Sequence, residues 1–259
     1  MAETIAVLSL KGGTGKTTTV RTLSDVLRRV GLDVLAIDLD PQGNLSDYFD
    51  VPPDASPTIA DVLAGDAKAK AAVHDGIVPA TPILAEVERS MSGKMGRELV
   101  LRKALKDARK QHDVVLIDCP PALGLLTING LVAADWALIS SEAQYFALQG
   151  VQGALEVIEQ AKEFYNPDLE WLGVVMNIAD MRTVHSREAY AQLVEHYNDK
   201  VFKTVIRSSI AYAESAERAQ SILDHRPDLG ADYLALADEV LARIGLRDAR
   251  RALKPLLAS

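Results

Sequence analysis

The first chemistry legible in this 259-residue chain lies in a glycine-rich run that closes on a lysine, Leu10-Lys11-Gly12-Gly13-Thr14-Gly15-Lys16-Thr17-Thr18. An apolar run, Thr4 to Leu8, leads directly into it, and a helical pattern begins at about Thr17. Three glycines let the backbone curl so that successive N–H groups point inward, and the helix aims its positive end at the same spot. Such a nest binds a polyphosphate. Lys16 is placed to reach the β- and γ-phosphates, and the Thr17 hydroxyl to ligate the magnesium ion that bridges them. The match to G-x-x-x-x-G-K-[ST] is incomplete, because Leu10 stands where the first glycine belongs and Lys11 adds a second lysine. Lys11 precedes the turn that Gly12 and Gly13 make around the phosphates, so it is poorly placed to serve its own nucleotide. It could instead reach across a two-fold axis.

Carboxylates follow at two strand ends. In Ile37-Asp38-Leu39-Asp40-Pro41-Gln42-Gly43-Asn44 the two aspartates would share one face of a strand, and Pro41 with Gly43 marks the turn that ends it. Both are expected to point into a catalytic crevice. In Val114-Val115-Leu116-Ile117-Asp118-Cys119 an apolar run ends in an aspartate, the position at which phosphoryl-transfer enzymes of this loop type hold magnesium. Cys119 reads as a passenger, since phosphoryl transfer needs no covalent step and no histidine is near in sequence. Asn177 closes the apolar run Val174-Val175-Met176; its amide suits an adenine edge and equally suits a helix or turn cap.

These motifs resemble the ParA/MinD group of ATPases. Lys11 to Thr18 (KGGTGKTT) is similar to their deviant Walker A loop, residues 38–44 to the DxDPQxN switch segment of the ParA branch, and residues 114–118 to a Walker B run. The resemblance extends from about Thr4 to Ile244 through Ala134-Asp135, Ala147-Leu148-Gln149-Gly150, Asp180-Met181-Arg182-Thr183 and Val201-Phe202-Lys203-Thr204-Val205-Ile206. The Pro41-Gln42 pair favours ParA over MinD. The resemblance implies a homodimer closed around two ATP molecules, in which Lys11 contacts the partner's nucleotide and Gly12 lies against the partner. It makes Lys11, Lys16 and Asp40 the catalytic set, with Asp40 helping to place the attacking water and the metal shell and Asp38 supporting it. Gly12, Gly13, Thr14, Gly15, Lys16, Thr17, Thr18 and Asn177 would hold ATP, and Thr17, Asp40 and Asp118 the magnesium. It further implies non-specific double-stranded DNA as a partner of the ATP-bound dimer, and hydrolysis stimulated by a ParB-like protein. That cycle would segregate a chromosome or plasmid, in the cytoplasm and on the nucleoid when ATP is bound.

One departure concerns DNA. Family members usually follow Val-Ile with Pro-Arg and a further arginine three residues on, whereas this chain reads Ile206-Arg207-Ser208-Ser209-Ile210-Ala211. That contact does not carry over to Ser208 or Ala211. Arg182 matches a second arginine of the family, and Arg187, Lys203 and Arg207 join it as candidates for phosphate contacts that would weaken steeply with salt. Two basic segments, 97–110 and 243–254, are further candidates or else the solvated faces of helices.

Positioning these groups requires elements that the pattern supplies. Short continuous apolar runs, Thr4 to Leu8, Val34 to Ile37, Val114 to Ile117, Trp136 to Ile139, Leu172 to Met176 and Val201 to Ile206, suit a parallel sheet covered on both faces. Helical spacing fills the gaps, from Thr17 to Val30 with a stop at Gly31 and from Tyr233 to Ile244 before Gly245. Ser56 with Pro57 is expected to cap a helix through Ile59, Val62 and Leu63. Residues 74–96 look least regular. The expected fold is a doubly wound α/β domain with a mostly parallel sheet and helices on both faces, ligands binding at the carboxyl ends of its strands. Residues 1–245 form the ATPase domain in this reading and 246–259 a basic tail.

Composition sets the remaining bounds. A net charge of −8 makes the molecule as a whole no electrostatic magnet for nucleic acid or anionic lipid, so any such binding needs a local patch. A single cysteine fits a reducing compartment and cannot supply a cluster's four ligands, even doubled in a dimer. The amino terminus lacks the features of a secretory signal, which places the protein inside the cell. A MinD-like membrane ATPase is one alternative, through the basic tail after Gly245. That tail lacks aromatic anchors and is interrupted at Pro255, so a membrane is not an expected partner. A positioning ATPase for another cargo is a second, and a metabolic enzyme on the same loop is a third.

Overall fold

The computed structural model describes residues 2–144 and 146–258. Among them a seven-stranded sheet comprises β1 (Glu3–Leu8), β2 (Val34–Asp38), β3 (Ile77–Val78), β4 (Val114–Asp118), β5 (Trp136–Glu142), β6 (Glu170–Ala179) and β7 (Val201–Arg207). Their order is β3-β2-β4-β1-β5-β6-β7, and every pairing is parallel. Helices α1 (Lys16–Arg29), α2 (Asn44–Tyr48), α3 (Ile59–Ala64), α4 (Ile83–Met91), α5 (Val100–Ala104) and α6 (Leu125–Ala133) precede β5 in the chain. After it come α7 (Ala147–Phe164), α8 (Val184–Tyr197), α9 (Ala211–Glu217), α10 (Ile222–His225), α11 (Pro227–Arg243) and α12 (Arg247–Leu257).

The continuous apolar strands are explained by two cores, one on each face. On β1, Ala6 and Leu8 join one core while Ile5 and Val7 join the other, and β4 divides in the same way between Val115, Ile117 and Val114, Leu116. The first core is closed by α3 to α8, the second by α1, α2 and α9 to α12. This is the doubly wound arrangement expected from the sequence. It sets β1 in the middle of the sheet, between β4 and β5, so the loop after β1 opens at the centre of the carboxyl edge.

Several local expectations are met and others corrected. Helix α1 stops where Gly31 adopts φ 88°, with Leu32 N–H returning to the Leu27 carbonyl; Gly245 at φ 80° follows α11. The cap of α3 is Thr58 and not Ser56: its hydroxyl accepts from Ala60 N–H at 3.2 Å, and the Asp61 carboxylate accepts from Thr58 N–H at 2.6 Å. Pro57 stays outside the helix. Residues 74–96 contain the edge strand β3, too short to leave an apolar run, and α4. Strand β6 extends beyond its apolar centre because Glu170 and Trp171 continue its pairing with β5.

The basic segments are partly interior. Arg109 hydrogen-bonds the Ala2 carbonyl and pairs with Asp135, tying the ends of β1 and β5 together. Arg243 donates to the carbonyls of Leu172, Lys200 and Val201 and stacks 3.8 Å from the centre of the Phe202 ring. Helix α12 packs on α11, burying Ala249 and Leu253, and runs through Pro255 rather than stopping at it. Among the described residues no helix is long and apolar enough to cross a membrane.

Candidate nucleotide-binding site

Residues 9–15 cross from β1 to α1 with Gly13 at φ 77° and Gly15 at φ 82°. A Cβ on Gly12 or Gly13 would meet nothing within 4 Å, so these two glycines face open space, while one on Gly15 would crowd the Asn177 side chain at 3.2 Å. The loop is braced from beneath by Ser9, a residue the sequence reading passed over. Its hydroxyl donates to the Lys11 carbonyl at 2.7 Å and accepts from Thr14 Oγ1 at 2.8 Å and Lys16 Nζ at 3.3 Å. The only sequence signal for it is its place between strand and loop. A second brace comes from β5, where Ser140 Oγ donates to the Thr14 carbonyl at 2.6 Å and accepts from Asn177 Nδ2 at 2.7 Å. Leu10, the departure from the standard loop, lies against α7 at Gly153, where a Cβ would sit 2.4 Å from Leu10 Cδ1.

Loop and helix start open into a cavity of about 580 Å³, ample for a small ligand such as a nucleotide. One end is Gly13, Thr14, Gly15, Lys16, Thr17 and Thr18; the other is formed by the carboxyl ends of β6 and β7, Asn177-Ile178 and Ile206 to Ser209, with α9. Buried Lys16 stands at the loop end. Asn177 is buried, its amide N–H groups spent on Ser140 and Thr19, and its Oδ1 is buried without a partner. It thus acts as a brace of the loop and retains only an acceptor.

The carboxylates take distinct places. Asp118, on β4, accepts a 2.7 Å bond from Thr17 Oγ1 on Oδ2, while its Oδ1 is buried and unpartnered. Burial and the neighbouring Asp38 carboxylate push its pKa well up, against the lowering effect of Thr17 and Lys16. A hydroxyl and a buried carboxylate with one oxygen to spare fit the needs of a hydrated divalent cation. Asp38 and Asp40 do not share a strand face, because β2 ends at Asp38. Asp38 turns inward, accepting from Ser46 N–H at 3.0 Å, Ser46 Oγ at 2.8 Å and Asp40 N–H at 3.0 Å, so it fixes the switch turn and does not enter the cavity. Burial raises its pKa above the carboxylate range despite those three bonds. Asp40 lies beyond the strand, half-buried, with Oδ1 accepting from Gln42 N–H at 3.0 Å. Cys119 is buried, and that burial drives its thiol far up, leaving it inert.

Lys11 is absent from the cavity wall. Its ammonium lies outside, donating to Gln144 Oε1 at 2.7 Å and lying 3.5 Å from Glu142 at the end of β5. The four arginines and lysines singled out for DNA sit in different settings. Arg182 is almost wholly exposed and chelated by Asp180, and Arg187 donates to the Met181 and Arg182 carbonyls. Lys203 lies on the outer strand β7, and Arg207 lines the cavity, held by Asp232.

A central loop of this form at the carboxyl edge of a parallel sheet defines a P-loop nucleoside triphosphatase. The family model described as an AAA domain matches residues 2–171. The chromosome-partitioning ATPase Soj of Thermus thermophilus is 39% identical over 246 residues, covering 93% of this chain and 96% of its own. The ATP complex of an aspartate-to-alanine variant of McdA from Cyanothece has a TM-score of 0.83 at 25% identity, covering 94% of this chain and 96% of that one. Cobyrinic acid a,c-diamide synthase from Mycobacterium smegmatis, with bound ADP and magnesium, has a TM-score of 0.77 at 35% identity, covering 87% and 95%. The chain belongs to the ParA/Soj family of P-loop ATPases.

Proposed function

We propose that this protein is an ATP-hydrolysing partition ATPase whose two copies close around ATP, bind DNA without regard to sequence, and are reset by hydrolysis that a ParB-like protein stimulates. The observation that carries this reading is the placement of Lys11, whose ammonium lies outside the cavity that Lys16 lines and rests on Glu142 and Gln144. A cation so placed can serve a facing copy's nucleotide but not its own.

The chain's residues divide the work. Backbone N–H groups of residues 12–17 and Lys16 hold the phosphates, and Thr17 with Asp118 holds the cation. Magnesium supplies charge neutralisation on the β- and γ-phosphates. Asp40, beyond the strand and with Oδ1 taken by Gln42 N–H, accepts a hydrogen bond from the attacking water on its second oxygen and orients it. Lys11 of the partner copy neutralises charge as the γ-phosphoryl departs, as an arginine finger does. Turnover by isolated chains is then slow, because this constellation is complete only in the closed pair. The braces from Ser9 and Ser140 keep the loop in its binding shape between cycles. DNA is held by phosphate contacts, with exposed Arg182 and Arg187 near the carboxyl edge and Lys203 farther along β7 as candidates. The protein works in the cytoplasm and on the nucleoid while ATP is bound.

The resemblance to the Mycobacterium smegmatis cobyrinic acid a,c-diamide synthase gives a metabolic reading a definite form, amidation of an acid. One assay separates the two: ATP hydrolysis with plasmid DNA and a ParB-like protein, against hydrolysis with a small carboxylic acid and an amine donor. Stimulation by DNA plus partner, lost at high salt, is expected. Stimulation by the acid and amine alone would overturn the partition reading.

A further inference from the structure

Arg207 stands where family members usually carry a proline, and from sequence it is a candidate for DNA. The structure puts it elsewhere. Register places it opposite Ala179 at the carboxyl edge, beside Asn177 and Ile178, in the wall of the cavity that begins at the phosphate loop. A nucleoside triphosphate whose phosphates occupy residues 12–17 must lay its base and ribose at this far end.

Arg207 is also fixed in place. Its backbone N–H and its Nε both donate to the Asp232 carboxylate, at 3.1 and 2.9 Å, and Nη2 donates to the Asp228 carbonyl. Two guanidinium nitrogens are thereby spent, Nη1 is left over, and the side chain is half-exposed. Arg182, although paired with Asp180, is almost wholly exposed to an approaching duplex, whereas Arg207 is held in the cavity wall by Asp232 and the Asp228 carbonyl. A planar cation immobilised in a cavity wall is instead suited to lie against a purine ring or to donate to a ring nitrogen, at little cost in side-chain entropy.

We infer that Arg207, held by Asp232, is a positioning residue for the purine of the bound nucleotide and not a DNA contact. The inference rests on reading the cavity as the ATP site. It gives the two groups at the base end separate tasks. Asn177 Oδ1, an unpartnered acceptor, suits the adenine amino group and discriminates between bases; Arg207 adds affinity that any purine shares.

The test is nucleotide affinity of the full chain, by titration with fluorescent ATP and GTP analogues in the presence of magnesium. Circular dichroism checks the fold of each variant. Arg207→Ala is expected to weaken both nucleotides by about tenfold and by a similar factor. Arg207→Lys, which keeps the charge but not the plane, is expected to recover little of the loss. Asp232→Ala, which frees the guanidinium, should give an intermediate loss. At saturating ATP the variants should bind plasmid DNA as the parent chain does. Affinities for both nucleotides within twofold of the parent, or full recovery by lysine, would overturn the inference. So would lower DNA affinity at saturating ATP. Failure of the parent chain to bind ATP at all would be a different result, striking the ATPase reading itself.

Discussion

At the phosphate end of the cavity the walls are mostly backbone and glycine, held by buried hydroxyls; at the base end they are side chains drawn from β6, β7, α9 and α11. Ser9 and Ser140 hold the loop with bonds of 2.6 to 2.8 Å to Lys11, Thr14 and Asn177. The base end is held by an ion pair between Arg207 and Asp232, both partly open to solvent. Backbone walls depend on a spacing of residue types, which survives wherever the loop is kept. Side-chain walls depend on which residues meet across the fold, here Arg207 on β7 and Asp232 on α11.

The contrast can be broken most sharply at the phosphate end. Lys16→Ala removes the buried charge that no neighbour can replace, and titration with a fluorescent ATP analogue is expected to show a loss of at least about 100-fold. A loss no greater than that of Arg207→Ala would mean that the two ends contribute alike.

The carboxylate behind Thr17 gives a pH signature. Asp118 is raised above the ordinary range by burial and by Asp38, its register partner on β2. A carboxyl raised on folding contributes stability in full below pH about 4, and that contribution is lost as pH climbs through the raised folded value. The nucleotide-free chain should therefore melt at progressively lower temperature from about pH 5 to about pH 9, and Asp118→Asn should flatten the slope. Magnesium-dependent nucleotide binding carries the opposite sign, tightening as pH rises, because the proton must leave before the cation is held. An unchanged melting slope in Asp118→Asn would refute the assignment of that proton.

The smallest effect is expected where Leu10 meets α7. Gly153→Ala brings a Cβ to 2.4 Å from Leu10 Cδ1, the movable end of a half-buried side chain. About 1 kcal/mol of stability should be lost in thermal melts, with a two- to threefold fall in nucleotide affinity, and Leu10→Ala in the same chain should relieve both. A neutral Gly153→Ala would show that the loop's start is not braced there.

Legibility in the sequence followed the same division. Strands buried on both faces left continuous apolar runs, so six were found and the two-residue β3 was not. Lys11, Lys16, Thr17 and Asp118 stand out in the sequence because loop spacing and a strand end set their places, and Asp40 only through the resemblance of residues 38–44 to the family's switch segment. Ser9 and Ser140 were missed, since a serine that braces a loop looks like any other serine. Asp38 was expected in the crevice, but its partner Ser46 lies eight residues on, beyond the reach of a strand-face argument. Arg207 was assigned by its charge alone. Only Asp232, twenty-five residues away on α11, explains what that charge is doing.

The central claim is that Lys11 leaves its own loop in order to act on a second copy. Light scattering on Asp40→Ala with saturating ATP and magnesium tests it most directly, since this variant keeps Lys11 and Lys16 but lacks the carboxylate proposed to orient water. A particle of twice the single-chain mass, reverting to one chain when ATP is replaced by ADP, is the predicted result. A single-chain mass at saturating ATP would contradict it.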